Sequence, residues 1–442
     1  MSAYQGGAIS ATATHLARSR PASEYHQFNE EPTLHQSLGG RSRPIAQLAV
    51  VAATMLVAGG LLTVDSTSSA SAPRRSTQAS PSRRFERASQ SQVLAEAWPV
   101  GAETVWIETS GASSDTARID LSTDAGKDWA VVTPPGVGTT QKRVIEDFFA
   151  LDANHAWLTY GGAAYDSAVT LVATSDGGRN WRTLGHTPVY WCTVQFVTPT
   201  IGWCTAIGAA AGSEGVLLYR SDDGGASWRL VSDTSLASRS SPGALPGGGD
   251  KQLEFDSPTL GWATIFSNVN YGSAGLWETS DGGSRWVERQ VEPPPGSPKV
   301  SYDFTGTPVL TGDDGALGLA INPINGDVPD DVVDVSTNAG LSWHTVTPPG
   351  PPRDWFVDTL SALQWRLVAG RHILATNDAG RSWYSVTSDV DFPPLSSGSG
   401  SPSPPVVDFV TPAIAWIVST ANGKLWRSSD GGHQWLRVNP YR

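Results

Sequence analysis

One octet of the form Ser/Thr-x-Asp-x-Gly-x-x-Trp occurs seven times in this sequence, with a single substitution of Asn for Asp. The copies are Ser122–Trp129, Thr174–Trp181, Ser221–Trp228, Thr279–Trp286, Ser336–Trp343, Thr376–Trp383 and Ser428–Trp435. Successive octet tryptophans lie 40 to 58 residues apart. This period is typical of a propeller blade and differs from that of a helical solenoid. The repeat therefore predicts an all-β propeller with seven blades.

Each position of the octet has a physical role in a turn. The Asp-Gly-Gly or Asp-Ala-Gly core suits a tight turn, because the carboxylate accepts backbone N–H bonds and glycine adopts positive φ. The tryptophan begins the next strand and offers a large apolar face to the neighbouring blade. We assign a structural role to the octet side chains, because the alternating carboxylates of a calcium loop are missing. These are Asp124, Asp176, Asp223, Asp281, Asn338, Asp378 and Asp430.

The seven octets resemble the Asp-box, also called the BNR repeat, of sialidase-like propellers. Over about residues 90–440, the chain is most similar to the exported single propellers likened to the photosystem II stability and assembly factor family. The resemblance implies a non-enzymatic propeller that holds partner proteins during the assembly of membrane complexes. It places each octet between the third and fourth strands of a blade, away from the functional face. A composition rich in Ala, Gly, Arg and Pro suggests a bacterial source.

A second pattern precedes the octets and sets the expected strands. An aromatic-bearing strand, a turn and a strand with a central tryptophan recur, as in Gln195–Phe196 followed by Gly202–Trp203. Alternating apolar residues predict half-buried antiparallel strands, four to a blade. Blade one is expected at about 92–133 and blade seven at about 405–439. In the fifth and sixth blades, Leu317 and Leu367 are expected to stand where the tryptophan would be.

The residues before the propeller predict a membrane anchor. Residues 45–64 are uncharged and long enough to cross a bilayer, and Arg41 and Arg43 precede them on the predicted cytoplasmic side. We therefore expect a disordered cytoplasmic tail at 1–44, a transmembrane signal-anchor at 45–64, a flexible linker at 65–89 and the propeller at 90–442. The location predicted is the bacterial cell membrane, crossed once, with the propeller outside. The alternative is a signal peptide cleaved near Ala72, which would release a secreted protein.

The two cysteines agree with export. Cys192 and Cys204 flank a turn between two β-rich runs and are expected to lie opposite one another on the first two strands of blade three. Opposed residues on adjacent strands are close enough for a disulfide, which is the predicted state. The alternative is a pair of small buried thiols.

The predicted ligand face is the one opposite the octets, by analogy with other propellers. It carries the connections between strands two and three and those between blades. The candidate residues on it are Tyr165, Asp166, Tyr190, Trp191, Asn270, Tyr271, Asp327, Asp330, Asp331, Arg353, Asp354 and Trp355. Exposed aromatic residues there would form a rim for a glycan or peptide, and the alternative is that they pack against their own blades.

Catalytic signatures are weak in this sequence. A sialidase needs three convergent arginines, a Tyr–Glu nucleophile pair and an acid, and Arg118–Asp120 is the nearest approach to the Arg-Ile-Pro motif of that family. Paired carboxylates of a glycosidase have candidates only by loop position, at Asp327, Asp330, Asp331 and Asp354. Nucleophile-elbow, phosphate-loop and zinc-helix motifs are absent, so we predict neither catalytic residues nor a metal or cofactor.

Charge narrows the class of partner. From Gln90 onward the chain has 37 acidic and 21 basic residues, which disfavours nucleic acid and anionic lipid. The predicted function is a membrane-tethered, monomeric scaffold that binds an extracytoplasmic protein. The alternatives are a glycan-binding module or sialidase-like glycoside hydrolase acting on cell-surface carbohydrate, and a structural envelope or sensor ectodomain.

Overall fold

The computed structural model describes most of the predicted propeller. The described residues are 93–110, 117–138, 144–161, 169–189, 192–207, 215–234, 243–246, 251–265, 275–291, 301–304, 306–322, 331–350, 356–392, 406–419 and 423–440. Every regular element among them is a β-strand. The 28 strands form seven separate antiparallel sheets, which confirms the seven-bladed all-β propeller.

The strands follow the chain order of the blades. They are β1 (Val93–Pro99), β2 (Val105–Ser110), β3 (Arg118–Ser122), β4 (Ala130–Val131), β5 (Val144–Ala150), β6 (Ala156–Gly161), β7 (Thr170–Thr174), β8 (Arg182–His186), β9 (Cys192–Phe196), β10 (Gly202–Ile207), β11 (Val216–Ser221), β12 (Arg229–Asp233), β13 (Lys251–Phe255), β14 (Gly261–Ile265), β15 (Gly275–Thr279), β16 (Val287–Arg289), β17 (Ser301–Phe304), β18 (Val309–Thr311), β19 (Asp314–Asn322), β20 (Asp331–Ser336), β21 (His344–Val346), β22 (Phe356–Thr359), β23 (Trp365–Thr376), β24 (Tyr384–Phe392), β25 (Val406–Phe409), β26 (Ala415–Ser419), β27 (Lys424–Ser428) and β28 (Leu436–Val438).

Each sheet is one blade, and its strands pair in chain order from the innermost to the outermost. Blade one is β1-β2-β3-β4 and blade seven is β25-β26-β27-β28, within the predicted bounds of both. The second strand of each regular blade has a central tryptophan, as predicted, and Trp157, Trp203 and Trp262 are at most 2% exposed. These side chains are buried because each lies in the interface between two blades.

The tryptophan of one blade contacts the next blade in two ways. Trp203 in blade three stacks on Phe255 of blade four, with ring centroids 3.7 Å apart and planes within 2°. Its Nε1–H donates to the carbonyl of Gly282 in the octet of blade four, at 3.0 Å. Trp157 and Phe196 repeat the stacking between blades two and three. Apolar burial therefore defines the joint between blades, and in blades one to three the indole N–H of this tryptophan also donates to a carbonyl of the next blade.

Inner strands of neighbouring blades are also joined by polar side chains. Val194 N–H donates to Asp147 Oδ2, and Phe409 N–H donates to Asp358 Oδ2, each at 2.8 Å. Between blades three and four, the side-chain amide of Gln195 both donates to and accepts from the backbone of Phe255. A single side chain thus links two inner strands that share no backbone ladder.

Ring closure joins blade seven to blade one through side chains. Both blades are built from strands that are consecutive in the chain, so no described strand is shared between the two ends. Trp416 and Val418 pack with Leu94 and Val105 in one buried cluster. The guanidinium of Arg427 donates twice to the carbonyl of Ala102, at 3.1 and 2.9 Å.

Blades five and six depart from the pattern, and the predicted residues there are off by one. In blade seven Ala415 pairs with the first octet residue and Trp416 follows it, whereas in blade five Gly315 pairs with Ser336 and Ala316 follows it. Ala316, not Leu317, therefore stands at the tryptophan position. Blade five also has a divided first strand, because β17 and β18 both pair with β19.

In blade six the tryptophan position belongs to Arg366, not to Leu367. Arg366 pairs with Asp358 of the inner strand, as Trp262 pairs with Glu254 in blade four. The error arose because Trp365 precedes this position and shifts the apparent motif by one residue. The first half of β23 pairs with β22 and its second half with β24, so this strand supplies both the second and third strands of the blade.

The disulfide between Cys192 and Cys204 is present, with the Cα atoms 5.4 Å apart. The two residues are not directly opposed as predicted. Cys192 pairs with Ala206 and Cys204 pairs with Val194, so the bridge runs diagonally across β9 and β10. Both side chains lie in the apolar cluster between blades two and three.

The predicted tail, signal-anchor and linker lie outside the described residues. Within the part of the chain that the structure describes, no helix is long and apolar enough to cross a bilayer. The membrane anchor therefore stays a prediction from residues 45–64.

Candidate functional site

The octets form the same hydrogen-bonded turn in every blade. In blade three the Ser221 hydroxyl donates to Asp223 Oδ1 at 2.9 Å and accepts the Gly225 N–H at 2.8 Å. Asp223 Oδ1 also accepts the Ser227 N–H at 2.8 Å. Hydrogen bonds from the Ser227 hydroxyl and N–H lower the pKa of Asp223. The octet carboxylate is therefore satisfied by its own turn, since ionised acceptors form the stronger hydrogen bonds.

All seven octets are tied to the turn between the first two strands of their own blade. In each case the backbone N–H of the fourth octet residue donates to a carbonyl of that turn. The pairs are Ala125–Glu103, Gly177–Asn154, Gly224–Thr200, Gly282–Thr259, Ala339–Asp313, Ala379–Leu363 and Gly431–Ala413, at 2.6 to 3.0 Å. We call this side of the propeller the octet face, and the opposite side the connection face.

The two faces differ in the regularity of their connections. On the octet face, seven residues separate the third strand from the fourth in every blade, and five residues form six of the seven first turns. On the connection face, the chain between consecutive blades varies from 5 residues, between β8 and β9, to 17, between β12 and β13. The turns of the octet face thus have nearly constant lengths, whereas the connections between blades differ in length from one blade to the next. The connection face is therefore the candidate functional site.

The predicted ligand-face residues belong to these connections. Asp331 is the first residue of β20 and pairs with Ala320, which places its backbone at the connection face. The other eleven lie outside the described residues, and so do the side-chain contacts of Asp331. Their clustering stays a prediction.

Two glutamates face one another across the first two strands of blade one. Glu96 of β1 and Glu108 of β2 are directly opposed in the ladder. Both are half-buried, and burial first, then the charges of Glu96 and Asp147, raises the pKa of Glu108 to about 8. Like charges directly opposed across a sheet destabilise it, so one proton on this pair relieves the repulsion. Burial and the neighbouring negative charges therefore favour the protonated form of Glu108.

Asp147 of blade two is the third carboxyl of this region. Burial raises its pKa to about 7, although the hydrogen bond from Val194 N–H opposes the shift. The neighbouring Phe148 packs against Trp98 and Trp106 of blade one, with ring centroids 4.7 and 5.6 Å away. Asp147 therefore links blades two and three through its hydrogen bond, and its negative charge contributes to the raised pKa of Glu108 in blade one.

Residues that resemble a sialidase site have structural roles. Arg118 Nη2 lies 3.0 Å from Asp120 Oδ1, and Asp120 is fully buried. Burial raises the pKa of Asp120 to about 6 against the opposing effect of Arg118. Tyr302 is buried and donates its hydroxyl to the Val291 carbonyl at 2.8 Å. Among the described residues, no group of three or more His, Cys, Asp or Glu is arranged to hold a metal ion.

Sequence reasoning missed the glutamate pair and Arg366. A β-bulge between Leu94 and Glu96 shifts the register of β1, so counting along the chain does not reveal that Glu96 opposes Glu108. Arg366 was missed because the adjacent Trp365 shifts the apparent motif by one residue. The inner strand did indicate this position. Asp358 pairs with Arg366 in blade six, as Asp408 pairs with Trp416 in blade seven.

Comparison with known proteins gives similarity of fold only. No protein-family model matches the chain, and no curated protein matches it. A solved structure of YCF48 bound to D1 peptide is 14% identical, with 78% of this chain and 95% of that chain covered and a TM-score of 0.46. YCF48 is a propeller of the photosystem II stability factor type that the sequence was predicted to resemble.

Enzymes occur among the similar structures as well. A PL25 ulvan lyase bound to -[GlcA(1-4)Rha3S]- is 10% identical, over 77% of this chain and 92% of that one, with a TM-score of 0.47. The GH93 α-L-arabinofuranosidase of Fusarium graminearum with arabinobiose is 13% identical, over 66% and 92%, with a TM-score of 0.36. At these identities the similarity carries no argument about function.

Proposed function

We propose that this chain is a membrane-tethered, monomeric propeller that binds a protein partner outside the cytoplasm through its connection face. The observation that carries the proposal is the difference between the two faces. Seven octets of one length tie the octet face into a repeated hydrogen-bond pattern, and the variable chain is confined to the opposite ends of the strands. Binding residues in proteins are concentrated on variable loops held by a rigid scaffold.

The chemistry of the described strands supports a binding role. Asp147 and Asp358 accept backbone N–H bonds from the next blade, and Asp120 is paired with Arg118. Asp147 and Asp358 join neighbouring blades and Asp120 is paired within its own strand, so all three are already engaged. The acidic balance from Gln90 onward favours a partner with basic segments and disfavours nucleic acid.

The location is part of the proposal. Residues 45–64 would cross the membrane once, with residues 1–44 in the cytoplasm and the propeller outside. A disulfide between Cys192 and Cys204 supports an oxidising compartment, because such bonds are rare in the cytosol.

A glycan-binding or glycoside-hydrolysing module is the second candidate, and the glutamate pair is the observation that favours it. Burial raises the pKa of Glu108 to about 8 beside a second carboxyl group, Glu96, and glycosidases likewise use a pair of carboxyl groups. The two groups lie within one blade and face the joint with blade two, so a sugar would need access from the connection face.

A panel of glycans and fluorogenic glycosides tests both candidates on the full chain. We expect neither binding nor turnover. Hydrolysis that is lost in Glu108→Gln but retained in the octet variant Asp223→Asn would replace the scaffold proposal with the enzyme. Glycan binding without turnover would instead identify a lectin-like face.

A further inference from the structure

The disulfide of blade three lies inside the joint with blade two. Cys192 is the first residue of β9 and Cys204 is in β10, with the Cα atoms 5.4 Å apart. Both side chains belong to one buried cluster with Trp157 of blade two. Cys204 is fully buried and Cys192 is 7% exposed. The bond is therefore part of the packed contact between two blades.

The cluster around the disulfide is closely packed. The rings of Trp157 and Phe196 are stacked across the joint, with centroids 3.8 Å apart and planes within 4°. Gly202 of β10 pairs with Phe196, and a Cβ built on it would lie 2.3 Å from Phe196 Cδ1. Protein interiors are as dense as organic crystals, so added volume in such a cluster displaces its members.

Reduction of the disulfide would add volume in this place. Bonded sulfur atoms lie about 2.05 Å apart, whereas non-bonded heavy atoms make favourable contact only from about 3.5 Å. The two thiols therefore need about 1.5 Å more between them than the disulfide does. Because Cys204 is enclosed by the cluster, we expect Cys192 to move. It lies two residues before Val194, whose N–H donates to Asp147 Oδ2 of blade two at 2.8 Å.

The connection that leads into Cys192 is short. Five residues separate β8 from β9, fewer than between any other pair of consecutive blades. Such a segment can absorb little displacement of the strand that follows it. A movement of Cys192 therefore also moves the connection face between blades two and three.

We propose that the disulfide between Cys192 and Cys204 is a redox-sensitive switch that keeps this joint closed. The reductant is a dithiol. Its thiolate attacks Cys192 Sγ, the sulfur–sulfur bond breaks, and Cys204 leaves as a thiolate that takes up a proton. The second thiol of the reductant then displaces Cys192 from the mixed disulfide. The chain gains two electrons and two protons, the reductant becomes a disulfide, and the two thiols crowd the joint and loosen it.

The joint between blades six and seven provides an internal control. Phe409 N–H donates to Asp358 Oδ2 at 2.8 Å, the same distance as in the bond from Val194. Both cysteines of the chain are in blade three. Amide exchange of the full chain, with and without dithiothreitol, would be followed by mass spectrometry in segments that contain Val194 and Phe409. Alkylation of the released thiols measures how much of the disulfide has been reduced.

The expected result is reduction in the folded chain and about tenfold faster exchange at Val194, with no change at Phe409, because overpacking favours local opening. Reoxidation should restore slow exchange. A disulfide that resists the reductant in the folded chain, or reduction without faster exchange at Val194, would overturn the switch. Equal acceleration at Val194 and Phe409 would also overturn it, because the whole ring would then be destabilised.

A double substitution separates crowding from the loss of the bond. Cys192→Ala combined with Cys204→Ala removes the disulfide together with both sulfur atoms. This variant should keep slow exchange at Val194, and dithiothreitol should not change it. Exchange as fast as in the reduced native chain would contradict crowding as the cause. The chain alone is used throughout, so the outcome does not depend on a partner.

Discussion

Blades three and six have different side chains at the same position of the second strand, where each blade packs against the next. Blade three places Trp203 against Phe255 of the next blade and satisfies its indole N–H on Gly282. Blade six places Arg366 there, with its guanidinium 5.8 Å from the ring centroid of Phe409. A cation–π contact thus replaces an aromatic stack.

The arginine needs more partners than the tryptophan does. Arg366 is 1% exposed and donates to the carbonyls of Trp365 and Thr376 at 2.8 and 3.0 Å. Burial lowers its pKa, and the charges of Tyr384 and Asp358 oppose that shift. A buried charge is tolerated only when it is paired and hydrogen-bonded. Blade six thus replaces the tryptophan of the joint with another flat side chain, whose polar groups are hydrogen-bonded to backbone carbonyls.

The largest expected effect is the loss of the aromatic joint. Trp203→Ala removes a fully buried indole and should lower the free energy of unfolding by about 3–5 kcal/mol. Leu230→Ala in the same blade, at a position 50% exposed, is the matched control and should change it by less than about 0.5 kcal/mol. Urea unfolding measures both. A loss below about 1 kcal/mol for Trp203→Ala would mean that blade joints do not depend on this stack.

Two substitutions of Arg366 separate charge from shape. Arg366→Ala removes a buried, hydrogen-bonded guanidinium whose charge interacts with Asp358 and should lower the free energy of unfolding by about 3 kcal/mol. Arg366→Trp restores the side chain of the regular blades and should retain most of the stability. Denaturant unfolding of both variants checks this order. If Arg366→Trp were as unstable as Arg366→Ala, the guanidinium would be essential and the equivalence of the two joints would be wrong.

A pH-dependent effect on stability is expected from Asp334 of blade five. Asp334 and Asp120 both lie two residues before an octet, but Val332 stands where blade one has Arg118. Burial raises the pKa of Asp334 from 3.8 to about 6, so the folded state binds a proton that the unfolded state has released. Its contribution is present below about pH 4 and is lost as the pH rises through about 6. The loss should approach roughly 3 kcal/mol.

Asp334→Asn removes this titration while keeping the shape of the side chain. Relative to Asp334→Asn, the native chain should therefore become progressively less stable between pH 4 and pH 6, in thermal or urea unfolding. Asp120→Asn should show the same direction in blade one, because burial raises the pKa of Asp120 to about 6 even beside Arg118. A constant difference between native chain and Asp334→Asn across this range would show that Asp334 is not protonated in the folded state.

The smallest expected effect lies in the octets themselves. Ala339 of blade five has φ 57°, where blade three has Gly224 at φ 76°. Because a Cβ is strained at positive φ, Ala339→Gly should raise the free energy of unfolding by roughly 0.5 kcal/mol, after the entropy of glycine is subtracted. Gly224→Ala should lower it by more, since its Cβ would lie 2.9 Å from the Pro199 carbonyl. Opposite signs in thermal unfolding are the expected outcome.

The repeat made the fold readable from the sequence, because turn chemistry and strand alternation are local properties. Seven octets with one spacing to the following strand fixed the number of blades and the position of each outer strand. Register was less accessible. The diagonal cysteine pair, the β-bulge before Glu96 and the shift by one residue at Ala316 and Arg366 depend on cross-strand pairing that no local pattern contains.

The sequence predicted which face of the propeller carries the candidate site, but not which side chains form it. Octet and first turn were expected on one side of the propeller, and seven backbone hydrogen bonds place them there. Which side chains of the connections meet one another depends on contacts between blades. Those contacts are not encoded in the repeat, because the connections are the part of each blade that does not repeat.

The most direct test of the connection face as the binding face compares partner contact at the two faces. Photoreactive side chains would be introduced at Gln290 on the connection face and at Ser284 on the octet face of the full chain, and crosslinked in native membranes. We expect a discrete protein adduct from Gln290 and none of comparable yield from Ser284. A discrete adduct from Ser284, with none from Gln290, would contradict the assignment of the connection face as the binding face.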